Sequence, residues 1–185
     1  MAPPTTRTRT RKSTSAAEPA APRRAAGTGS AVRIRMYNVG FGDCFLLFVP
    51  TEAGERKILI DCGSIKTAKH GIGEFVGALL DDLKGSDGRP HVDLLIATHR
   101  HRDHISGFAD PRWREVSVGE VWMPWTESPS DARATRLRQM QMRFAVALEN
   151  AIKTREMAGR AALLDLVANA QSNEAALDML RQGKS

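Results

Sequence analysis

The sequence predicts an α/β domain followed by a helical segment, and three observations support this prediction. Short alternating or apolar segments before residue 62 have the pattern of β-strands. Over residues 72–83, apolar side chains recur at spacings of three and four, which is one face of a helix. From residue 131 onward only helical spacing remains. We therefore expect an α/β portion at residues 31–128 and a helical insertion or linker at residues 129–185.

The first three strands are predicted from turn residues and alternation. Residues 32–37 alternate apolar and polar side chains, which predicts a half-buried strand. Two glycines within residues 38–43 can adopt positive φ in a turn, so residues 44–49 should return as the antiparallel partner. A third strand is predicted at residues 57–61, with Asp61 at its carboxyl end.

The next elements are a helix and two strands. The apolar face of residues 72–83 ends before Lys84 and Gly85, as a helix C-terminus should. Residues 92–97 form a short, nearly unbroken apolar run, which is typical of a strand covered on both faces. A further strand is predicted at residues 116–123. In the helical segment, we expect the stripe of Met and Leu to serve core or hairpin packing and not to form a cofactor site.

The basic character of the chain is concentrated in its first 30 residues. They hold six basic residues and one acidic residue, whereas the remaining 155 residues carry a net charge of only +1 of the total +6. Since these 30 residues lack aromatic and almost all large aliphatic side chains, we expect a disordered leader. Two interpretations stay open: a solvated leader, or a tether to nucleic acid or another anionic surface.

Other classes are disfavoured by composition. No apolar stretch approaches the roughly 20 residues of a membrane span, and no apolar segment of a secretory signal follows the basic start. We therefore expect a cytoplasmic protein without a membrane span. Cys44 and Cys62 do not form a C-x-x-C pair, so we expect buried, reduced thiols and no disulfide framework.

A cluster of potential metal ligands directly follows the strand at residues 92–97. His99, His101, Asp103 and His104 lie within six residues, and imidazole and carboxylate are ligands that zinc prefers. In an extended segment, His99 and His101 project to the same side. The alternative is a polar loop whose histidines only satisfy local hydrogen bonds. Because three of the five histidines coincide with an Asp at a strand end, we favour a metal site. His70 and His91 match no such pattern and are expected in surface loops.

These residues carry a resemblance to a known family. The stretch from Leu94 to Gly107 resembles the H-x-H-x-D-H motif of the metallo-β-lactamase superfamily. Two further segments, residues 39–47 and 58–63, are similar to the opening hairpin and third strand of that superfamily, particularly of the branch containing the hydrolase domain of the DNA-uptake protein ComEC. The match covers roughly residues 32–123 and departs from the branch at Asn38, Phe41 and Cys62.

The resemblance implies an αββα sandwich, here its N-terminal half, with two divalent metals, most simply Zn²⁺. His99 and His101 would bind the first ion, and Asp103 and His104 the second. Asp61 would orient a ligand from beneath, although it could instead be a turn former at the strand end. The implied reaction is attack by a metal-bound hydroxide that Asp103 could also orient.

The resemblance also implies downstream ligands that the sequence does not supply. No histidine follows His104, and the later Asp residues lack a strand-end context. Two explanations stay open: the chain is truncated after a helical segment, which would leave one sheet face exposed, or it is a degenerate, non-catalytic homologue. We favour truncation because the first motif is intact.

The function predicted from the sequence is therefore metal-dependent hydrolysis, with a phosphodiester as the first substrate class and a small ester or thioester as the next. The alternative is a non-catalytic binding module that associates with nucleic acid through the basic residues 1–30.

Overall fold

Five strands form one mixed sheet in a computed structural model that describes residues 31–65, 71–154, 159–171 and 173–182. The strand order follows the chain: β1 (Arg33–Met36), β2 (Phe45–Thr51), β3 (Gly54–Ile60), β4 (His91–Ile96) and β5 (Ser117–Trp122). The first three strands pair antiparallel, and the pairing of β1 with β2 is the hairpin that the sequence predicted, whereas β3, β4 and β5 are parallel. The expected leader at residues 1–30 and His70 lie outside the described residues.

Helices connect and flank this sheet. They are α1 (Ile72–Leu83), α2 (Arg102–Ile105), α3 (Ala132–Lys153), α4 (Arg160–Ala170) and α5 (Glu174–Gln182), with short 3-10 turns at Ser106–Ala109, Pro111–Glu115 and Trp125–Glu127. The mixed α/β class, the helix at residues 72–83 and the helical C-terminal part are confirmed. Helix α3 begins after Asp131, whose carboxylate accepts hydrogen bonds from two backbone N–H groups of the first turn. Among the described residues, no helix combines the length and apolar character that a membrane span requires.

One face of the sheet carries the main core. Leu46, Leu59 and Leu95 are paired neighbours on β2, β3 and β4, and all three are fully buried. Helix α1 adds Val76, Leu79, Leu80 and Leu83 to this core, and α5 adds Ala176, Leu177 and Leu180. The last helix thus shares a core with the sheet. The predicted boundary at residue 128 between the α/β portion and the helical segment stays a prediction. Cys44 and Cys62 lie in the same core as free thiols, as expected.

The opposite face of the sheet is also apolar but is only partly covered. Its side chains follow two rows of paired residues: Ile34, Leu47, Ile58 and Leu94, and Met36, Phe45, Ile60, Ile96 and Trp122. The prediction that the first strand is half-buried is wrong, since Ile34 is 66% and Met36 73% exposed. Whether the side chains of an edge strand are buried depends on what packs over that strand. The described residues leave the face of β1 that carries Ile34 and Met36 uncovered.

The apolar stripe of the helical segment is likewise less buried than expected. Helices α3 and α4 pack through a small cluster of Ala145, Ile152 and Val167. Met140, Phe144 and Leu148 remain exposed, so the prediction that the stripe is core or hairpin packing is wrong for these three. The contact between the helices uses small and medium side chains, whereas Phe144 and Leu148 line a groove beside it.

Candidate metal centre

The motif loop leaves the carboxyl end of β4 and turns into α2 at His101. The Ala97 N–H still donates to Trp122 O on β5, at 3.0 Å, so the loop begins directly after the sheet. His101 keeps an extended backbone, with φ −65° and ψ 149°, and its carbonyl accepts from the N–H groups of His104 and Ile105. This change of direction places Asp103 and His104 on the first turn of α2.

Two turns from the first three strands hold the loop from below. The Asp43 N–H donates to Asp103 O at 3.1 Å, and the Cys62 N–H donates to His104 O at 2.7 Å. The two turns are joined to each other by a bond from Gly63 N–H to Asp43 O, at 3.1 Å. The backbone that carries Asp103 and His104 is therefore fixed by residues far away in the sequence.

Glycine is required where these turns touch the motif. A Cβ built on Gly63 would lie 2.5 Å from the His104 carbonyl carbon, and one on Gly42 would lie 2.6 Å from Asp103 O. Both distances are well below van der Waals contact, and the atoms that would be struck belong to the backbone, which cannot rotate away. The glycines thus allow the close approach of three backbone segments under the site.

Asp61 is buried beneath the histidines and has a left-handed backbone, with φ 55° and 2% of its surface exposed. Its carboxylate accepts hydrogen bonds from Thr98 N–H at 2.8 Å and from the Thr98 hydroxyl at 2.6 Å. It also lies 2.9 Å from Nδ1 of His104. A left-handed conformation costs a non-glycine residue about 1 kcal/mol or more, so the surrounding contacts must hold Asp61 in place.

These bonds fix the tautomer of His104. Because an ionised carboxylate only accepts hydrogen bonds, Nδ1 of His104 is the donor to Asp61, and in the neutral ring Nε2 is then the nitrogen with the lone pair. That Nε2 lies 3.6 Å from Oδ2 of Asp103. The ring therefore presents its free nitrogen toward the Asp103 carboxylate.

His99 is oriented through Thr98 in the same way. The Thr98 hydroxyl gives its proton to Asp61, so its oxygen can accept from Nδ1 of His99, 3.1 Å away. Nε2 of His99 is then also left with its lone pair. Burial, together with the neighbouring rings of His104 and His101, lowers the pKa of His99 below its usual value of 6.5. The neutral ring, which is the form that binds metals, is thus favoured.

Three of the predicted ligands come together. His99, Asp103 and His104 each offer one ligand atom, and these atoms lie within 4.8 Å of one another. Tetrahedral ligands about 2.0–2.1 Å from one zinc ion lie roughly 3.4 Å apart, so small side-chain rotations would suffice to close the group. Asp103 Oδ1 is buried and has no hydrogen-bond partner among the described residues. A buried carboxylate oxygen without a partner fits a metal ligand, and the donor set fits zinc.

His101 lies beside this group. Its ring contacts the ring of His99 edge-on, with 4.6 Å between the centroids, whereas the centroids of His99 and His104 are 3.8 Å apart. The structure groups His99 with Asp103 and His104, while the resemblance pairs His99 with His101. The assignment of ligands to two ions stays a prediction. His91, expected in a surface loop, is instead the first residue of β4 and lies 3.4 Å from Asp93.

Sequence reasoning missed two residues at the site. Asn169 of α4 is buried, and its Oδ1 accepts from the Asp103 N–H at 3.0 Å. Asp43 Oδ2 lies 3.5 Å from Nδ1 of His104. The available signal for Asn169 was a lone amide within the apolar run of α4, and for Asp43 an acidic residue directly after a turn glycine.

Arg100 and Glu127 form a further pair next to the motif. Glu127 is 4% exposed, and its Oε2 lies 3.7 Å from Nη1 of Arg100, too far for a hydrogen bond. The other guanidinium nitrogen of Arg100 lies 3.6 Å from Glu174 on α5. The motif loop therefore also has loose ionic contacts with the helical segment.

Comparisons of the chain with protein-family models, with curated proteins and with solved structures found no match. The chemistry of the site is therefore inferred from its geometry.

Proposed function

We propose that this protein is a metal-dependent hydrolase of the metallo-β-lactamase superfamily, with Zn²⁺ as the first candidate metal and His99, Asp103 and His104 as ligands. One observation carries the proposal. Both imidazoles have Nδ1 engaged by Asp61, directly or through Thr98, and the free Nε2 of His104 lies 3.6 Å from Asp103, a carboxylate that also has an unpartnered buried oxygen. Histidines that only satisfied local hydrogen bonds in a polar loop would not require this arrangement.

Each residue has a separate task in this proposal. Asp61 and Thr98 hold the two rings in the ligating tautomer and raise their basicity. Asp103 has two oxygens, and the one that is not engaged by a metal could take the proton of the attacking water. His101, next to His99, is available to a second ion, as the resemblance implies. When bound, the metal would supply Lewis acidity, which lowers the pKa of water toward about 7 and stabilises negative charge on the substrate.

The αββα sandwich belongs to the same proposal. The second sheet face consists of Leu47, Phe45, Ile58, Ile60 and Ile96 together with their neighbours, and these side chains are only partly buried. An apolar face of this extent is what a sheet inside a two-sheet sandwich would have.

The substrate would be a phosphodiester, an ester or a thioester. In each case the oxygen of water bonds to phosphorus or to the acyl carbon. The bond from that atom to the leaving oxygen or sulfur breaks, and the leaving atom takes up a proton. No part of this chemistry needs a redox group.

The test is hydrolysis by the zinc-loaded protein of bis-p-nitrophenyl phosphate and of p-nitrophenyl esters. We expect turnover with at least one of them and a loss of at least about a hundredfold in Asp103→Asn, which keeps the shape of the side chain but removes its charge. The control is Asp178→Asn, whose carboxylate is exposed on α5. Zinc binding without any cleavage would instead favour the non-catalytic binding module, and oligonucleotide binding that requires the basic residues 1–30 would identify its partner.

A further inference from the structure

A cavity of about 490 Å³ opens between α3 and α4, next to the candidate metal centre. Its walls are apolar and include Phe144, Leu148, Leu163, Leu166 and Val167. The volume falls within the range of roughly 300–1,000 Å³ that is typical of small-molecule sites. It therefore has the size and character of a binding pocket for an apolar group.

The cavity walls carry apolar side chains that the described residues leave uncovered. Phe144 is 70% exposed, Leu166 57%, Leu148 39% and Leu163 37%. Scattered exposed apolar residues are ordinary, but a contiguous set around one concavity indicates a surface that is covered by a ligand or partner. The two helices pack against each other through the buried residues Ala145, Ile152 and Val167, which also line the cavity.

The motif loop, which carries the candidate ligands, contributes to the lining of this cavity. Arg100 and His101, which lie between His99 and Asp103 in sequence, are both among its lining residues. The guanidinium of Arg100 is in loose contact with Glu127 and Glu174, at 3.7 and 3.6 Å, so its N–H groups can still donate to a ligand oxygen. An apolar group in the cavity would thus place an attached polar head beside Arg100 and His101, and the ring of His101 contacts that of His99.

The wall of the cavity is also joined to the site by a hydrogen bond. Asn169 holds the backbone N–H of Asp103, and its neighbours on α4, Val167 and Ala170, line the cavity. This bond connects α4, and with it one side of the cavity, to the backbone of Asp103.

From these relationships, we propose that the cavity between α3 and α4 binds the apolar acyl chain of a carboxylic ester or thioester, whose carbonyl group lies at the His99, Asp103 and His104 cluster. This inference rests on the proposed hydrolase function. Water adds its oxygen to the acyl carbon, the bond to the leaving oxygen or sulfur breaks, and the leaving atom takes up a proton. The products are a fatty acid and an alcohol or thiol.

The test uses the protein without metal and the fatty acids hexanoate, octanoate and decanoate, whose binding is measured by calorimetry. Because each buried CH₂ contributes a constant increment, affinity should rise about threefold to fourfold for each added carbon. Leu166→Gln on the cavity wall should weaken decanoate binding at least about tenfold. Met140→Gln, which changes an equally exposed apolar residue of α3 outside the cavity, should not.

The zinc-loaded protein is then assayed with p-nitrophenyl esters of the same three acids. Turnover that increases with chain length and falls in Leu166→Gln supports the inference. Ester cleavage at rates independent of chain length, or fatty-acid binding unaffected by Leu166→Gln, overturns the assignment of the cavity alone. Binding that depends on chain length without cleavage of any carboxylic ester overturns the substrate role of the cavity, and the hydrolase proposal falls with it only if bis-p-nitrophenyl phosphate is not cleaved either.

Discussion

The Asp61 carboxylate lies 2.9 Å from Nδ1 of His104 and also accepts hydrogen bonds from the backbone N–H and the hydroxyl of Thr98. A single buried carboxylate thereby sets the tautomers of two histidines, one directly and one through a threonine. Asp61 also adopts a left-handed backbone, which directs its side chain under the motif. The proposed metal centre is thus prepared by a residue that is not itself among the expected ligands.

Replacement of Asp61 by Asn should weaken zinc binding by about tenfold to a hundredfold, because the neutral amide no longer stabilises the protonated Nδ1 of His104. Asn also tolerates the left-handed backbone, so the fold should survive. Calorimetric zinc titration measures the effect, with Asp87→Asn in an exposed turn as the control. Unchanged zinc affinity in Asp61→Asn would show that Asp61 serves the turn only, the alternative that the sequence left open.

Gly63→Ala should destabilise the protein by more than about 2 kcal/mol, because the new methyl group would strike the His104 backbone at 2.5 Å. Gly71→Ala is the matched control, since a Cβ there meets no atom of the described part of the chain within 4 Å, and its effect should stay within about 0.5 kcal/mol. Chemical denaturation of both variants provides the comparison. Equal stability of the two variants would mean that the turns do not pack under the motif as described.

Asn169→Ala should cost about 1–3 kcal/mol of stability, since it leaves the Asp103 N–H without its acceptor. It should also weaken zinc binding, because the first turn of α2 loses its contact with α4. Asn150→Ala, at an exposed position of α3, is the control and should leave both quantities unchanged. If hydrogen exchange at the Asp103 amide is as slow in Asn169→Ala as in the unaltered protein, the bond has no structural role.

The pH dependence of stability should report on His99. Burial and the neighbouring imidazoles lower its pKa in the folded state below 6.5, so the unfolded chain binds the proton more readily. The free energy of unfolding of the metal-free protein should therefore fall as the pH decreases from about 7 to about 5, and His99→Gln should flatten this slope. A slope that is identical in His99→Gln would show that His99 titrates as it does in the unfolded chain.

The strands and the first helix could be predicted from the sequence because their signals are local. The apolar face of α1 and the alternation before β2 depend on residues only a few positions apart. The four ligand candidates and Asp61 were also accessible, since they follow strand ends. Asn169 was not, because it meets Asp103 across 66 residues of sequence. The exposure of Ile34 and Phe144 could not be predicted either. A periodic pattern shows which side chains share a face but not what covers that face.

The most direct test of the proposed metal centre is a zinc titration of the metal-free protein and of two histidine variants. His104→Gln removes the nitrogen that faces Asp103, whereas His91→Gln changes a histidine that contacts Asp93 at the start of β4. We expect the unaltered protein and His91→Gln to bind zinc with the same affinity, and His104→Gln to bind it at least about a hundredfold more weakly. Equal affinity of His104→Gln and the unaltered protein would contradict the account.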